Sequence, residues 1–70
     1  MTNEEIDKTI RMARQAYMSR RDYDGREPNT ADSDIVQLNG QEAVMLCAGT
    51  EVIAYYVWSP EGRLRYMQPR

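Results

Sequence analysis

Histidine is absent from this 70-residue chain, and cysteine occurs once, at Cys47. Without an imidazole, no side chain is supplied that titrates near neutral pH as a general base. A lone thiol has no internal disulfide partner and no second soft ligand, which excludes a disulfide scaffold or a zinc site within one chain. Nucleophilic cysteine chemistry needs an activated thiolate, and Cys47 has no histidine to activate it, so it reads as a packed core residue. A reducing, cytoplasmic setting is expected.

Other signals are missing as well. No glycine-rich phosphate loop is present; Gly25, Gly40, Gly49 and Gly62 each fall at an expected turn. The longest uncharged run is Ala43 to Thr50, against the roughly 20 apolar residues that a membrane-spanning helix needs. The start, MTNEEID, is acidic and polar where a signal peptide is basic and then apolar, so none is expected. Asp22, Asp24, Asp32 and Asp34 do not match an EF-hand loop and are read as loop solubility, with no metal and no cofactor expected. With 9 basic and 11 acidic residues the net charge is −2, which argues mildly against a general nucleic-acid binder. There is no repeat and no low-complexity tract. These absences point away from an enzyme.

What is there points to a folded domain. Apolar content is 41%, enough to escape the low-hydrophobicity regime of disordered chains. A chain of this size makes one domain that buries about 60% of its unfolded surface, and dimerisation is one common remedy for so small a core. Residues 2–23 read as an amphipathic helix. Thr2 is the expected N-cap, Glu5 completes a capping box, and Met1 and Ile6 form a hydrophobic staple. Ile6, Ile10, Ala13 and Tyr17 repeat at one helical face, with Thr9 and Ala16 widening it. Glu4–Lys8 and Asp7–Arg11 are i, i+4 pairs in the favourable order. The acidic residues of the first turns and Arg20 and Arg21 of the last turn suit the helix dipole.

Residues 24–33, DGREPNTADS, form a connector, long for a domain of this size. Residues 34–68 read as an antiparallel β-meander of four strands. Asn39-Gly40 is a type I′ hairpin signal, Gly49-Thr50 suits type II′, and Ser59-Pro60-Glu61-Gly62 suits a three-residue loop. The expected fold class is therefore α+β, one N-terminal amphipathic helix packed on one face of a four-stranded antiparallel meander, as a single domain over residues 1–70.

Uninterrupted pairing across these turns places Val36, Leu38, Ala43, Met45, Cys47, Val52, Ala54, Tyr56, Trp58, Leu64 and Tyr66 on one uncharged face, expected beneath the helix. The opposite face then carries Ile35, Gln37, Glu42, Glu51 and Met67 around Val44, Leu46, Ile53, Tyr55 and Val57, with Arg63 and Arg65 at its rim. An apolar centre with a charged rim is how a partner surface looks. The expected site is this open face, with Val44, Leu46, Ile53, Tyr55, Val57, Arg63 and Arg65 contacting a protein partner, most simply a second copy in a homodimer. Such a chain also suits an adaptor or inhibitor of a larger protein. The plainer alternative is that β-branched residues favour strands anyway and the loop or C-terminus covers them. A second site is a basic flank, Lys8, Arg11, Arg14 and Arg21, with Arg70 joining Arg63 and Arg65 at the far end. With Tyr55 to stack a base, it suits an anionic partner such as a nucleic acid. No membrane partner is expected.

Overall fold

Thr2 starts the helix in the way its residue type allows. It sits in an extended conformation (φ −75°, ψ 164°), and its hydroxyl accepts from the Glu5 amide at 3.2 Å. The same hydroxyl donates to Glu5 Oε1 at 3.2 Å. The computed structural model describes residues 2–69, so the Met1 side of the expected staple, and Arg70, lie outside the described residues. The helix, α1, spans Asn3–Met18, shorter than the expected 2–23. Asp7 and Arg11 pair along it at 2.7 Å.

Tertiary contacts end α1 early. Arg20 turns out of the helical path so that its guanidinium lies 3.6 Å from the centre of the Tyr66 ring. It also grips both carboxylate oxygens of Asp22, at 3.0 and 3.1 Å. Tyr23 folds back to meet Tyr17 edge to face, with ring centres 5.7 Å apart. A helix continued to residue 23 would give up both contacts. Arg20 and Arg21 therefore lie beyond the last helical turn.

The four strands are β1 (Asp34–Leu38), β2 (Gln41–Ala48), β3 (Glu51–Trp58) and β4 (Leu64–Met67). They form one antiparallel sheet in sequence order, with the helix packed against it, so the fold is α+β as expected. Asn39 and Gly40 both take positive φ (53° and 77°), as a type I′ turn requires. The last loop has the expected three residues, Pro60 to Gly62, closed by the Ser59 amide donating to Arg63 O at 2.7 Å. Leu38 pairs with Gln41, Ala48 with Glu51, Trp58 with Leu64 and Tyr56 with Tyr66, all as the turns dictate.

One irregularity changes which residues share a face. Cys47 pairs with Val52, but Leu46 pairs with Ala54, so Ile53 is an extra residue in β3. Side chains alternate strictly along a strand, so one inserted residue reverses the facing of all that follows relative to the partner strand. Uninterrupted pairing puts Met45 beside Ala54; the bulge puts Leu46 there instead. Ile53 and Ala54, adjacent in sequence, both enter the helix-covered core.

That core is Ile10, Ala13 and Tyr17 of α1 against Val44, Leu46, Ile53, Ala54 and Tyr56 of the sheet. Ala13, Leu46 and Ala54 are fully enclosed at 0% exposure, and the two alanines let the helix lie close to the sheet. Tyr56 and Tyr66 stack edge to face at 5.9 Å beneath it. Ala54, Tyr56, Leu64 and Tyr66 are on the helix side, as expected. Val44, Leu46 and Ile53, expected on the open face, are instead core residues. Val36, Leu38, Ala43, Met45 and Cys47, expected beneath the helix, stand on the opposite face.

The connector is tied down as an extra edge to the sheet. The Asn29 amide donates to Cys47 O at 2.8 Å. Ser33 Oγ donates to Asn29 O at 2.8 Å and accepts from the Cys47 amide at 3.1 Å. These bonds continue the β2 edge past the end of β1, and Pro28 is fully buried beside it. Ser33→Ala leaves a buried amide without its acceptor, a loss of about 1–3 kcal/mol. Thermal unfolding followed by circular dichroism is expected to show a midpoint lowered by about 10 °C.

Candidate functional site

The face turned away from α1 is built from strand register alone. Two adjacent rows cross it. One runs Val36–Ala43–Val57–Arg65 and the other Asp34–Met45–Tyr55–Met67. Neighbours in a row stand about 5 Å apart, and the rows about 7 Å apart along the strands. Leu38 and Gln41 extend the face toward the first hairpin, and Cys47 and Val52 toward the second. Met45, Tyr55, Val57, Val36 and Leu38 are half-buried, and Met67 is 38% exposed. The face is hollowed. A cavity of ≈ 280 Å³ is bounded by Leu38, Asn39, Tyr55, Met67 and Gln68.

Among the described residues, no charge stands in the middle of this face. Its charges lie at two opposite margins, Asp34 on β1 and Arg65 on β4, with Arg63 just before β4. Of the residues expected to meet a partner, Tyr55, Val57 and Arg65 are here, and Arg63 is at the rim. Val44, Leu46 and Ile53 are removed from it by the bulge, at 1%, 0% and 5% exposure. Met45, Val36 and Leu38 take their places, and Ala43 stands on the same face but is itself buried at 2% exposure. Counting back from the second turn misses these, because the count passes through Ile53.

Cys47 is on the same face but buried where the connector crosses. Burial pushes its thiol above the ordinary cysteine range, and the negative charge of Asp32 adds to this. That environment is the reverse of the electropositive one that makes a cysteine nucleophilic. Among the described residues, no three His, Cys, Asp or Glu side chains gather closely enough to hold a metal ion.

The basic flank is largely spoken for. Arg11 is paired with Asp7 at 2.7 Å. Arg14 is paired with Glu27, and its Nε donates to Pro28 O at 2.9 Å. These two arginines and the connector line a polar hollow of ≈ 400 Å³ in which the Glu27 carboxylate offsets their charge. Lys8 is exposed in the second turn of α1, and Arg21 is exposed beyond its last turn. About 15 Å of helix rise lies between Lys8 and the end of α1 at Met18. The expected stripe is therefore not one patch. Arg26 is likewise engaged, with Asp24 at 2.9 Å and with Glu51. The Asp24 carboxyl is held below the usual carboxylate range by the hydrogen bond from the Arg26 amide, and by the Arg26 charge and the Tyr17 hydroxyl.

No protein-family model, curated protein or solved structure matches the chain. Among the described residues, no helix is long and apolar enough to cross a membrane.

Proposed function

We propose that the chain is a small, non-enzymatic protein-interaction module whose working surface is the uncovered sheet face, and that its partner is a second copy of itself. One observation carries this reading. The rows Val36–Ala43–Val57 and Met45–Tyr55–Met67 are apolar, lie on the side away from α1, and among the described residues are bordered rather than interrupted by charge. A solvated antiparallel face is normally polar along its length, whereas a partner surface has an apolar centre and a polar rim.

Sheet-on-sheet packing is the natural use of such a face, with interdigitating side chains about 10 Å thick between the two layers. A standard interface takes about 800 Å² from each partner, roughly a sixth of the 5073 Å² that this chain exposes. A four-stranded face is of that order. Pairing would also give this small domain a second apolar layer, which its length alone does not supply. The lone buried thiol suits a cytoplasmic setting.

Light scattering on a sizing column across a concentration series tests this. The expected result is a mass approaching twice the 8.2 kDa chain as concentration rises. A mass that stays at one chain through the highest concentrations rejects the second copy as occupant and leaves a different protein, as with an adaptor or inhibitor.

A further inference from the structure

The proposed self-association leaves the relative placement of the two copies open, and the charge pattern of the face selects one. We infer that the twofold axis of the pair runs parallel to the strands, so that β1 of each copy lies over β4 of the other. This rests on the self-association reading and adds a register to it.

Two sheets packed face to face with their strands nearly aligned admit two in-plane twofold axes. An axis across the strands lays β1 on β1 and β4 on β4. Asp34 then lies on the same margin as the partner's Asp34, and Arg65 on the same margin as the partner's Arg65, each about one 7 Å row from its counterpart when the axis runs midway between the two rows. An axis along the strands exchanges the two margins and keeps each row level with itself. The acidic margin of one copy then meets the basic margin of the other, twice over by symmetry.

The rows set the reach. Asp34 and Met67 end the same row, and Arg65 ends the next. Asp34 therefore lies opposite the partner's Met67, one row of about 7 Å from the partner's Arg65, a span that an arginine side chain covers. In the middle of the same row, Tyr55 comes over the partner's Met45, a sulfur–aromatic contact. Both margins are exposed in the single chain. Among the described residues, Asp34 has only its own strand's Ile35 amide as a hydrogen-bond donor, at 2.8 Å. Arg65 appears in none of the ion pairs among the described residues. Like-charge juxtaposition suppresses the wrong docking, and opposite charges fix the register.

Charge exchange tests the axis. The dissociation constants of wild type, Asp34→Arg, Arg65→Asp, the double variant and an equimolar mixture of the two single variants are measured by sedimentation equilibrium. Melting curves confirm that each is folded. Each single variant is expected to weaken self-association about tenfold, because two rim pairs turn repulsive at once. The double variant is expected to return to wild-type affinity, and the mixture to form a mixed dimer at wild-type affinity. If either single variant fails to fold, Asp34→Asn and Arg65→Gln replace them. Each is expected to weaken dimerisation about threefold at low salt, with the difference vanishing at high salt. Single variants as tight as wild type, or a double variant weaker than either, overturn the axis while the dimer itself stands. A wild-type chain that remains monomeric overturns the self-association on which the axis depends.

Discussion

Tyr55→Asp leaves the chain folded and weakens self-association by at least about a hundredfold. Tyr55 stands at the centre of the uncovered face, between Met45 and Met67 in its row. It is only half-buried in the single chain and is not part of the helix-covered core. A carboxylate there remains hydrated in the monomer, so the expected loss of stability is that of strand preference, about 1 kcal/mol. In a face-to-face pair the same carboxylate is desolvated with no cation beside it, and symmetry repeats it. An unpaired buried charge costs several kcal/mol, and a hundredfold change in affinity needs only about 2.7 kcal/mol. Sedimentation equilibrium gives the affinity and a thermal melt gives the stability. A variant that melts more than about 20 °C lower would show that Tyr55 supports the monomer itself.

Neighbouring residues on β2 are expected to fail in opposite ways. Leu46→Ala empties a fully enclosed site at the centre of the core. Such truncations cost about 2–5 kcal/mol. A domain of 70 residues has a total stability on the order of 4–10 kcal/mol, so the variant is expected to lose about half of its stability. Met45→Ala removes a side chain from the uncovered face. It is expected to cost less than about 1 kcal/mol of stability, yet to weaken self-association about tenfold, since two copies of the contact with Tyr55 are lost. Urea titration gives both stabilities. The contrast tests the bulge at Ile53 directly, because uninterrupted pairing places Met45 under the helix and Leu46 outside. A destabilising Met45→Ala with a neutral Leu46→Ala would remove the bulge and restore that pairing.

Turn chemistry and helix periodicity were legible because they are local. Thr2 caps, the stripe Ile10, Ala13 and Tyr17 is buried, and Asn39-Gly40 takes the two positive φ angles that its residue types permit. Register propagated from those turns is right wherever the strands are regular, as between β3 and β4. It fails at Ile53, where nothing local announces an inserted residue: EVIAYYVW is uniformly strand-favouring. The choice of an uncharged face as core also misled. The helix side of the sheet does carry polar residues, Gln37 and Glu42, which pair with each other and are exposed. The charge-free criterion holds only for the part of a face that is covered.

Consequently the architecture was readable and half of the candidate site was not. Tyr55, Val57, Arg63 and Arg65 lie where β3 and β4 counting puts them. Val44, Leu46 and Ile53 exchanged places with Ala43, Met45 and their row neighbours across one extra residue. The early end of α1 has the same character. Arg20 continues the helical pattern in sequence, but the ring of Tyr66, on a strand more than forty residues away, holds it elsewhere. The basic flank dissolved for a related reason, since Glu27 approaches Arg14 only through the path of the connector.

The most direct measurement is an isotope-filtered NOE experiment on a dimer mixed from labelled and unlabelled chains, which detects only contacts between copies. Cross-peaks from the Tyr55 ring to the Met45 methyl, and from Met67 to β1 side chains of the other copy, are the expected result. Intermolecular contacts confined to the exposed side of α1, around Met12, would contradict the assignment of the uncovered sheet face as the working surface.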